Sequence, residues 1–257
     1  METRSQEAKK SIEAYWDKSS CDYDKQFGHG LRSEEEKELW LDLLRRNVVL
    51  PSESKVLDVG CGTGFLSLLL AELGFDVTGV DFSEEMRGEG ERKAREQGLS
   101  IRFQRGDAEN PDFPDNSFDA IISRHVVWTL TEPSHAMAKW RSLLRPGGMV
   151  LIVDGVWTPR SIAERMRFWL AGGVKLVKGK KRHLSWKKEY MGKMSNTLPF
   201  FGGATPERIY DVLREAGFSD ISLDSMDSIL SYERANSPFE YRITHGKNRR
   251  YLISAKA

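Results

Sequence analysis

The residues best placed for chemistry are acids and glycines at strand ends. Asp58 leads into Gly60-Cys61-Gly62-Thr63-Gly64, and Asp81 stands about twenty residues past the first of these. Val56, Leu57 and Val59 form an apolar run that stops at the glycines, after which Phe65 to Leu73 takes over. A buried strand, a tight glycine turn and a helix start bring backbone N–H groups up to a ligand. A second strand-like run (Phe75, Val77, Val80) delivers Asp81 to the place where a nucleotide-binding α/β unit grips ribose hydroxyls. The stretch implies a nucleoside-containing cofactor. A dinucleotide fingerprint wants its third glycine one residue later, where this chain has Phe65. The spacing therefore suits a cofactor without a pyrophosphate. No G-x-S-x-G elbow or Walker A lysine is present, and no His/Cys/Asp set has zinc spacing, so no metal is expected.

The elements that must position these groups alternate from Ser54 onward. Strands are expected at 55–59, 76–80, 100–103, 118–123 and 149–153. Helices are expected from Phe65, from Ser83 as N-cap to about Gln97, and over 134–144, the last stopped by Pro146-Gly147-Gly148. Near-continuous apolar strands between helices predict an α/β fold with a parallel sheet covered on both faces. Ahead of them, residues 1–50 read as two amphipathic helices (Ile12, Tyr15, Trp16; then Leu39, Trp40, Leu43, Leu44). An aromatic-rich link, 19–32, joins them. Residues 155–204 break the rhythm and carry a basic run from Lys175 to Lys188, read as an insertion over the ligand edge. Thr205-Pro206 opens a further helix ending at Gly217. Phe218–Met226 and Arg250–Ala255 read as closing strands joined by a polar link. The chain is expected to form one domain over 1–257.

Composition narrows the class. With 257 residues, 39% hydrophobic and 30% charged, at net charge +1, the chain has no basic excess that favours nucleic acid. Two cysteines cannot build a disulfide framework, and Cys61 lies inside the glycine loop. No segment approaches the ~18 apolar residues of a membrane span, and no signal core opens the chain. The expectation is a reduced, soluble, cytoplasmic protein, monomer or homodimer, acting on a small-molecule partner.

The segments VLDVGCGTGFLSLLLAELG, VTGVDFSEEM, GDAENPDFPDNSFDAIISRHVVWTL and LLRPGGMVLIVD, in that order, resemble the class I S-adenosylmethionine-dependent methyltransferases. The resemblance is nearest to the methyltransferase type 11, ubiquinone/menaquinone-biosynthesis-like branch. It covers 55–154 and, more weakly, 205–255. It implies a Rossmann-like, doubly wound, mostly parallel seven-stranded sheet with N-terminal helices and an inserted helical lid after strand five. It also implies S-adenosyl-L-methionine as methyl donor and S-adenosyl-L-homocysteine as product. Carried over position by position, Asp58, Gly60, Cys61 and Gly62 lie along its methionine and ribose parts. Asp81, followed by Phe82, accepts the ribose hydroxyls, and Met86 lies against the adenine. Asp107 and the Ala108 N–H meet the adenine edge, and the Arg124 carbonyl receives the amino group.

Methyl transfer is an in-line displacement, so alignment and exclusion of water dominate. A base is needed only when the nucleophile arrives protonated. His125, just past strand four, is the candidate base, beside the reading that it packs or bonds to a loop. His29 and His183 carry weaker claims. Tyr15, Tyr23, His29, Trp128 and Trp157 are the candidate acceptor-pocket residues, with core packing as the alternative for each aromatic. The rival functions are methylation of RNA or protein through 175–188, a non-catalytic S-adenosylmethionine-binding sensor, and an NAD-dependent oxidoreductase. Phe65 and Asp107-Ala108 argue against the last.

Overall fold

The strands that carry the site are almost wholly buried, and the computed structural model packs them into one seven-stranded sheet. It describes residues 4–156, 162, 166, 192, 194–244 and 250–257. Two helices lead, α1 (Arg4–Tyr23) and α2 (Glu34–Asn47). There follow β1 (Lys55–Val59), α3 (Phe65–Glu72), β2 (Asp76–Asp81), α4 (Glu84–Glu96), β3 (Ile101–Arg105) and β4 (Phe118–Arg124). After a 3₁₀ turn (Val127–Thr129) come α5 (Pro133–Leu143) and β5 (Leu144–Gly155). The chain closes with α6 (Pro206–Glu215), β6 (Ser219–Asp224), α7 (Asp227–Asn236), α8 (Phe239–Thr244) and β7 (Arg250–Lys256).

The strand order is β3-β2-β1-β4-β5-β7-β6, with β7 antiparallel to β5 and β6 and the other pairings parallel. From β1 the chain builds outward through β2 to β3, then returns to place β4 on the opposite side. The order therefore reverses beside β1, and a crevice opens at the carboxyl ends of β1 and β4, where ligands bind in sheets of this kind. The glycine loop and His125 both stand at that edge.

Two apolar layers hold the sheet. On one face Trp140 and Met137 of α5 and Ile209 and Leu213 of α6 pack with Leu57, Ile121 and Ile152. On the other, Trp40, Leu43 and Leu44 of α2 and Leu66, Leu69 and Leu70 of α3 pack with Val56, Ile122 and Leu151. Full burial of such side chains stabilises by about 1.5–3 kcal/mol each. Local signals set the helix starts. Ser33 and Ser83 accept N–H bonds from Glu36 and Met86, both 3.1 Å, and Thr205 accepts from Arg208 ahead of Pro206.

Two expectations are corrected. Pro146-Gly147-Gly148 does not separate α5 from β5. The strand begins at Leu144, and the residues before Met149 bulge between the pairs Phe118–Leu144 and Ala120–Met149. The polar link before β7 contains α7 and α8. Met226 and Ile229 bury into the Trp40 layer, but so few apolar side chains leave no readable helical period. Of the expected insertion, Met194 and Leu198 pack on Ala8 and Ile12 of α1, while the basic run 175–188, Trp157 and His183 lie outside the described residues.

Candidate functional site

At the carboxyl edge the backbone of the glycine loop folds back on β2. Gly60 and Cys61 donate to the Val80 carbonyl at 2.8 and 3.0 Å. A side chain at Gly60, where φ is +67°, would stand 2.3 Å from Val126 Cγ2. At Gly62 (φ +54°) nothing lies within 4 Å, and the loop is open. Asp81 anchors this loop: Gly62 N–H and Ser83 N–H donate to its two oxygens, each at 2.9 Å. An ionised carboxylate offers about four lone-pair sites. Two remain for a ligand. Burial raises its pKa, opposed by those two N–H groups.

The cavity here is lined by Gly60, Gly62, Asp81, Phe82, Met86 and Ala108, together with Tyr23, Arg124, His125, Val126 and Thr129. Ile12 and Trp16 of α1 cover it. Its cavity volume is about 70 Å³ and it opens to solvent, below the roughly 300–1,000 Å³ of occupied small-molecule sites. A smaller recess beneath the loop adds Asp58, Cys61 and Phe65. Asp58 accepts from Ser67 Oγ at 2.6 Å, and burial pushes its pKa up to about 6. Burial also raises the Cys61 thiol well above its ordinary value, so it is no thiolate nucleophile at neutral pH.

Helix α1 is tied to this edge by polar contacts. Lys9 Nζ lies 2.7 Å from Asp107 Oδ2 and 2.5 Å from Glu109 Oε2. Arg105 pairs with Glu13 at 2.9 Å, and Ser83 Oγ donates to Asp17 at 2.6 Å. Just beyond the helix, Asp24 accepts from Thr63 Oγ1 at 2.6 Å and from Lys93 at 2.8 Å. These contacts explain why the helix lies across the ends of β2 and β3 despite a weak apolar stripe.

Past β4, His125 adopts φ +59°, a conformation uncommon outside glycine, asparagine and aspartate, and its N–H donates to the Val153 carbonyl at 2.8 Å. Its ring stands 5.5 Å from that of His29, which is 4.5 Å from Tyr23; Trp16 is 5.6 Å from Tyr23. Burial, then the charges of Arg124, His29 and Arg250, holds the His125 pKa well below 6.5. The imidazole is neutral at pH 7. Burial pushes the Tyr23 phenol up to about 12, so it stays protonated. Asp154, at the end of β5, is also buried; burial raises its pKa to about 7 while Gly155, Trp128 and Val127 N–H groups counter it.

The structure brings together Gly60, Cys61, Gly62, Asp58, Asp81, Phe82, Met86, Ala108, Arg124, His125, Tyr23 and His29. Three expected residues stand elsewhere. Trp128 packs against the α5 face of the core, and Thr129 takes the place at the cavity. Tyr15 and Trp16 both pack against the Met194–Leu198 cluster, and Trp16 alone of the two also lines the cavity. Asp107 is engaged by Lys9 and by the Glu109 N–H, leaving Ala108 at the cavity wall. Ile12, Val126 and Thr129 were not anticipated; apart from Ile12 and Trp16 at helical spacing, nothing in the residue order singled them out.

Strand order, glycine loop and acidic strand ends define a class, and the comparisons agree with it. Residues 57–152 match the family model described as "Methyltransferase domain". Over this stretch the chain is similar to the methyltransferase domains of S-adenosylmethionine-dependent enzymes. A "Ubiquinone biosynthesis O-methyltransferase" of Cereibacter sphaeroides is 27% identical over 172 residues, 67% of this chain and 63% of that one. A "Phosphatidylethanolamine N-methyltransferase" of Cereibacter sphaeroides is 39% identical over 102 residues, 39% of this chain and 50% of that one. The chain thus spans 63% and 50% of the lengths of these two relatives. Among solved structures, phosphoethanolamine N-methyltransferase 2 of Haemonchus contortus, in complex with phosphomonomethylethanolamine and S-adenosylhomocysteine, shares the fold. Its TM-score is 0.65 at 20% identity, covering 100% of this chain and 60% of that chain. Among the described residues no helix is long and apolar enough to cross a membrane, and no side-chain group is arranged to hold a metal ion.

Proposed function

We propose that this chain transfers a methyl group from S-adenosyl-L-methionine to a small-molecule acceptor, releasing S-adenosyl-L-homocysteine. One observation carries the reading: the cavity lined by Gly62, Asp81 and Met86 is lined also by Tyr23, His125 and Thr129. Groups suited to a nucleoside and groups suited to an acceptor therefore face one space. The residues fit the donor. Asp81 keeps two lone pairs after accepting Gly62 and Ser83, Gly62 leaves the loop open, and Phe82, Met86 and Ala108 offer apolar surface for a purine.

When bound, the cofactor supplies a methyl group on a sulfonium, whose departure as a thioether needs no acid. The chain's own tasks are then to align the acceptor and exclude water. Trp16 and Ile12 roof the cavity, and Tyr23, protonated at neutral pH, can donate to the acceptor. His125, neutral at pH 7, accepts the proton that an O–H or N–H nucleophile must lose. Helix α1 serves as a lid, and the whole chain acts as one domain. The relatives are named for O- and N-methylation, which makes phenolic and amine acceptors the first to test.

The test is acceptor-dependent formation of S-adenosylhomocysteine, followed by mass spectrometry across phenols, amines and thiols. Turnover with at least one acceptor supports the reading; cofactor binding with no acceptor-dependent turnover across the panel refutes it. His125→Gln should lower turnover about 10²–10⁴-fold while S-adenosylhomocysteine still binds.

A further inference from the structure

The link between α1 and α2 ends its run past Tyr23 at Gly28 and His29, and residues from the last part of the chain hold it there. Arg250, at the start of β7, and Glu233, in α7, form an ion pair in which each side chain is 5% exposed. The Arg250 guanidinium reaches two acceptors at once. One terminal nitrogen donates to the Glu233 carboxylate, and the other to the Gly28 carbonyl at 3.4 Å. Tyr241 of α8 donates to the same Glu233 oxygen at 3.3 Å, and its ring stands 5.5 Å from that of Phe27. Gly28 has φ +81°, and a Cβ there would meet the Tyr241 hydroxyl at 2.8 Å. Glycine is what lets the link come this close. Tyr232 of α7 shares a 2.6 Å bond with Ser33, the N-cap of α2.

A buried ion pair is a poor way to gain stability, because apolar side chains of similar volume often do as well. What a guanidinium fork supplies is geometry, with donors fixed in one plane. Here Glu233 sets that plane, and the second donor points at the backbone of the link. Arg124, at the end of β4, donates to the same Gly28 carbonyl and, at 3.2 Å, to that of His29. The turn is thus held between β4 and β7. The His29 ring beside it stands 5.5 Å from that of His125 and 4.5 Å from that of Tyr23. The earlier half of the link has a separate anchor, since Asp24 accepts from Thr63 of the glycine loop and from Lys93. Moving Gly28 therefore moves His29 first and leaves the glycine loop its own tether.

Resting on the methyl-transfer reading above, we infer that Glu233 and Arg250 are positioning residues for the acceptor side of the cavity. Neither is among the residues that line it. They act through the Gly28 carbonyl, fixing the turn that holds the His29 ring beside His125 and Tyr23. Glu233 orients the Arg250 fork, Arg250 fixes the carbonyl, and Tyr241 closes on the glycine that makes the approach possible. Helices α7 and α8 are then a support for acceptor alignment, while the donor site keeps its own anchors. Losing the pair should slow methyl transfer without loosening the cofactor.

The test compares the full wild-type chain with Glu233→Leu/Arg250→Met, which removes both charges together and so leaves neither ion buried alone. Kinetics use the best acceptor from the panel above, calorimetry uses S-adenosylhomocysteine, and hydrogen exchange is followed over 24–32. The double variant should lose about 100-fold in kcat, the scale of a misplacement of about 1 Å. Its KM for S-adenosyl-L-methionine and Kd for S-adenosylhomocysteine should stay within about threefold of wild type, and exchange at 27–30 should quicken. Arg250→Lys, which keeps the charge without the fork, should fall between the two. Gly28→Ala should show the same split. Adding Tyr241→Phe, which deletes the hydroxyl the new methyl meets, should recover part of that loss, and this pair serves if the double variant does not fold. A folded double variant with unchanged kcat overturns the inference, and so does one in which kcat and cofactor affinity fall together. Gly28→Ala that Tyr241→Phe does not relieve also overturns it. Wild type without turnover on any acceptor overturns the methyl-transfer reading instead, and equal exchange at 27–30 in both proteins would still overturn the positioning.

Discussion

Asp81→Ala gives the sharpest test of the donor site. The carboxylate closes the glycine loop through Gly62 N–H and Ser83 N–H, each at 2.9 Å, and presents its two remaining lone pairs to the cavity. A ribose diol would use both. Hydrogen bonds to a charged group contribute about 1.5–3 kcal/mol each, so losing two costs about 3–6 kcal/mol. At 1.4 kcal/mol per decade that is a weakening of about 10²–10⁴-fold in Kd. The substitution also strips an acceptor from two loop N–H groups, so thermal melting of the ligand-free protein must accompany the calorimetry. Asp81→Asn keeps one acceptor oxygen and should lose about ten- to a hundredfold. Because burial raises the Asp81 pKa, wild-type affinity should fall on acidification at a higher pH than an ordinary aspartate dictates. An Asp81→Ala protein that melts near wild type and binds S-adenosylhomocysteine within about threefold would refute the reasoning. Asp81 would then be a loop acceptor only.

Three further outcomes are expected. Trp140→Phe removes the 2.7 Å bond from Nε1 to the Ala108 carbonyl in a fully buried setting. It should cost about 1–3 kcal/mol in denaturant unfolding and weaken cofactor binding severalfold, since Ala108 lines the cavity; an unchanged unfolding midpoint would count against the link. Asp154, held near pKa 7 from 3.8, binds its proton more tightly folded than unfolded. Its contribution to stability is therefore present below about pH 4 and lost as pH rises toward 7, and Asp154→Asn should flatten that limb of the melting-temperature profile. Parallel profiles for the two proteins would contradict this. Lys9→Met breaks the pairs with Asp107 and Glu109, which are part-exposed on the lysine side and contribute about 1 kcal/mol or less. Glu109 keeps its bonds from Thr131 and Glu132, so the protein should fold, and stopped-flow should show faster association and release of the cofactor as α1 lifts more readily. Unaltered rates would mean that α1 does not gate the site.

What the sequence determined by itself was local. Lys55 to Phe65 builds a strand, a glycine turn and a helix start from neighbours in the chain, and Asp81 ends the next strand. Ser83 and Thr205-Pro206 place helix starts within the same few residues. Backbone sterics, capping and apolar runs act over short separations, so they are written in residue order. The tertiary structure alone decided the rest. Whether Tyr15 or Trp16 faces the cavity depends on how α1 is clamped by Asp107 and Glu109, about a hundred residues away in sequence. Helix α7 forms because Met226 and Ile229 find the Trp40 layer, not because its own pattern demands it. Arg124 reads from sequence as a strand end lending its carbonyl. Only the folded chain buries its guanidinium between Phe65, Trp40 and the Gly28–His29 turn, because those surroundings come from three distant segments.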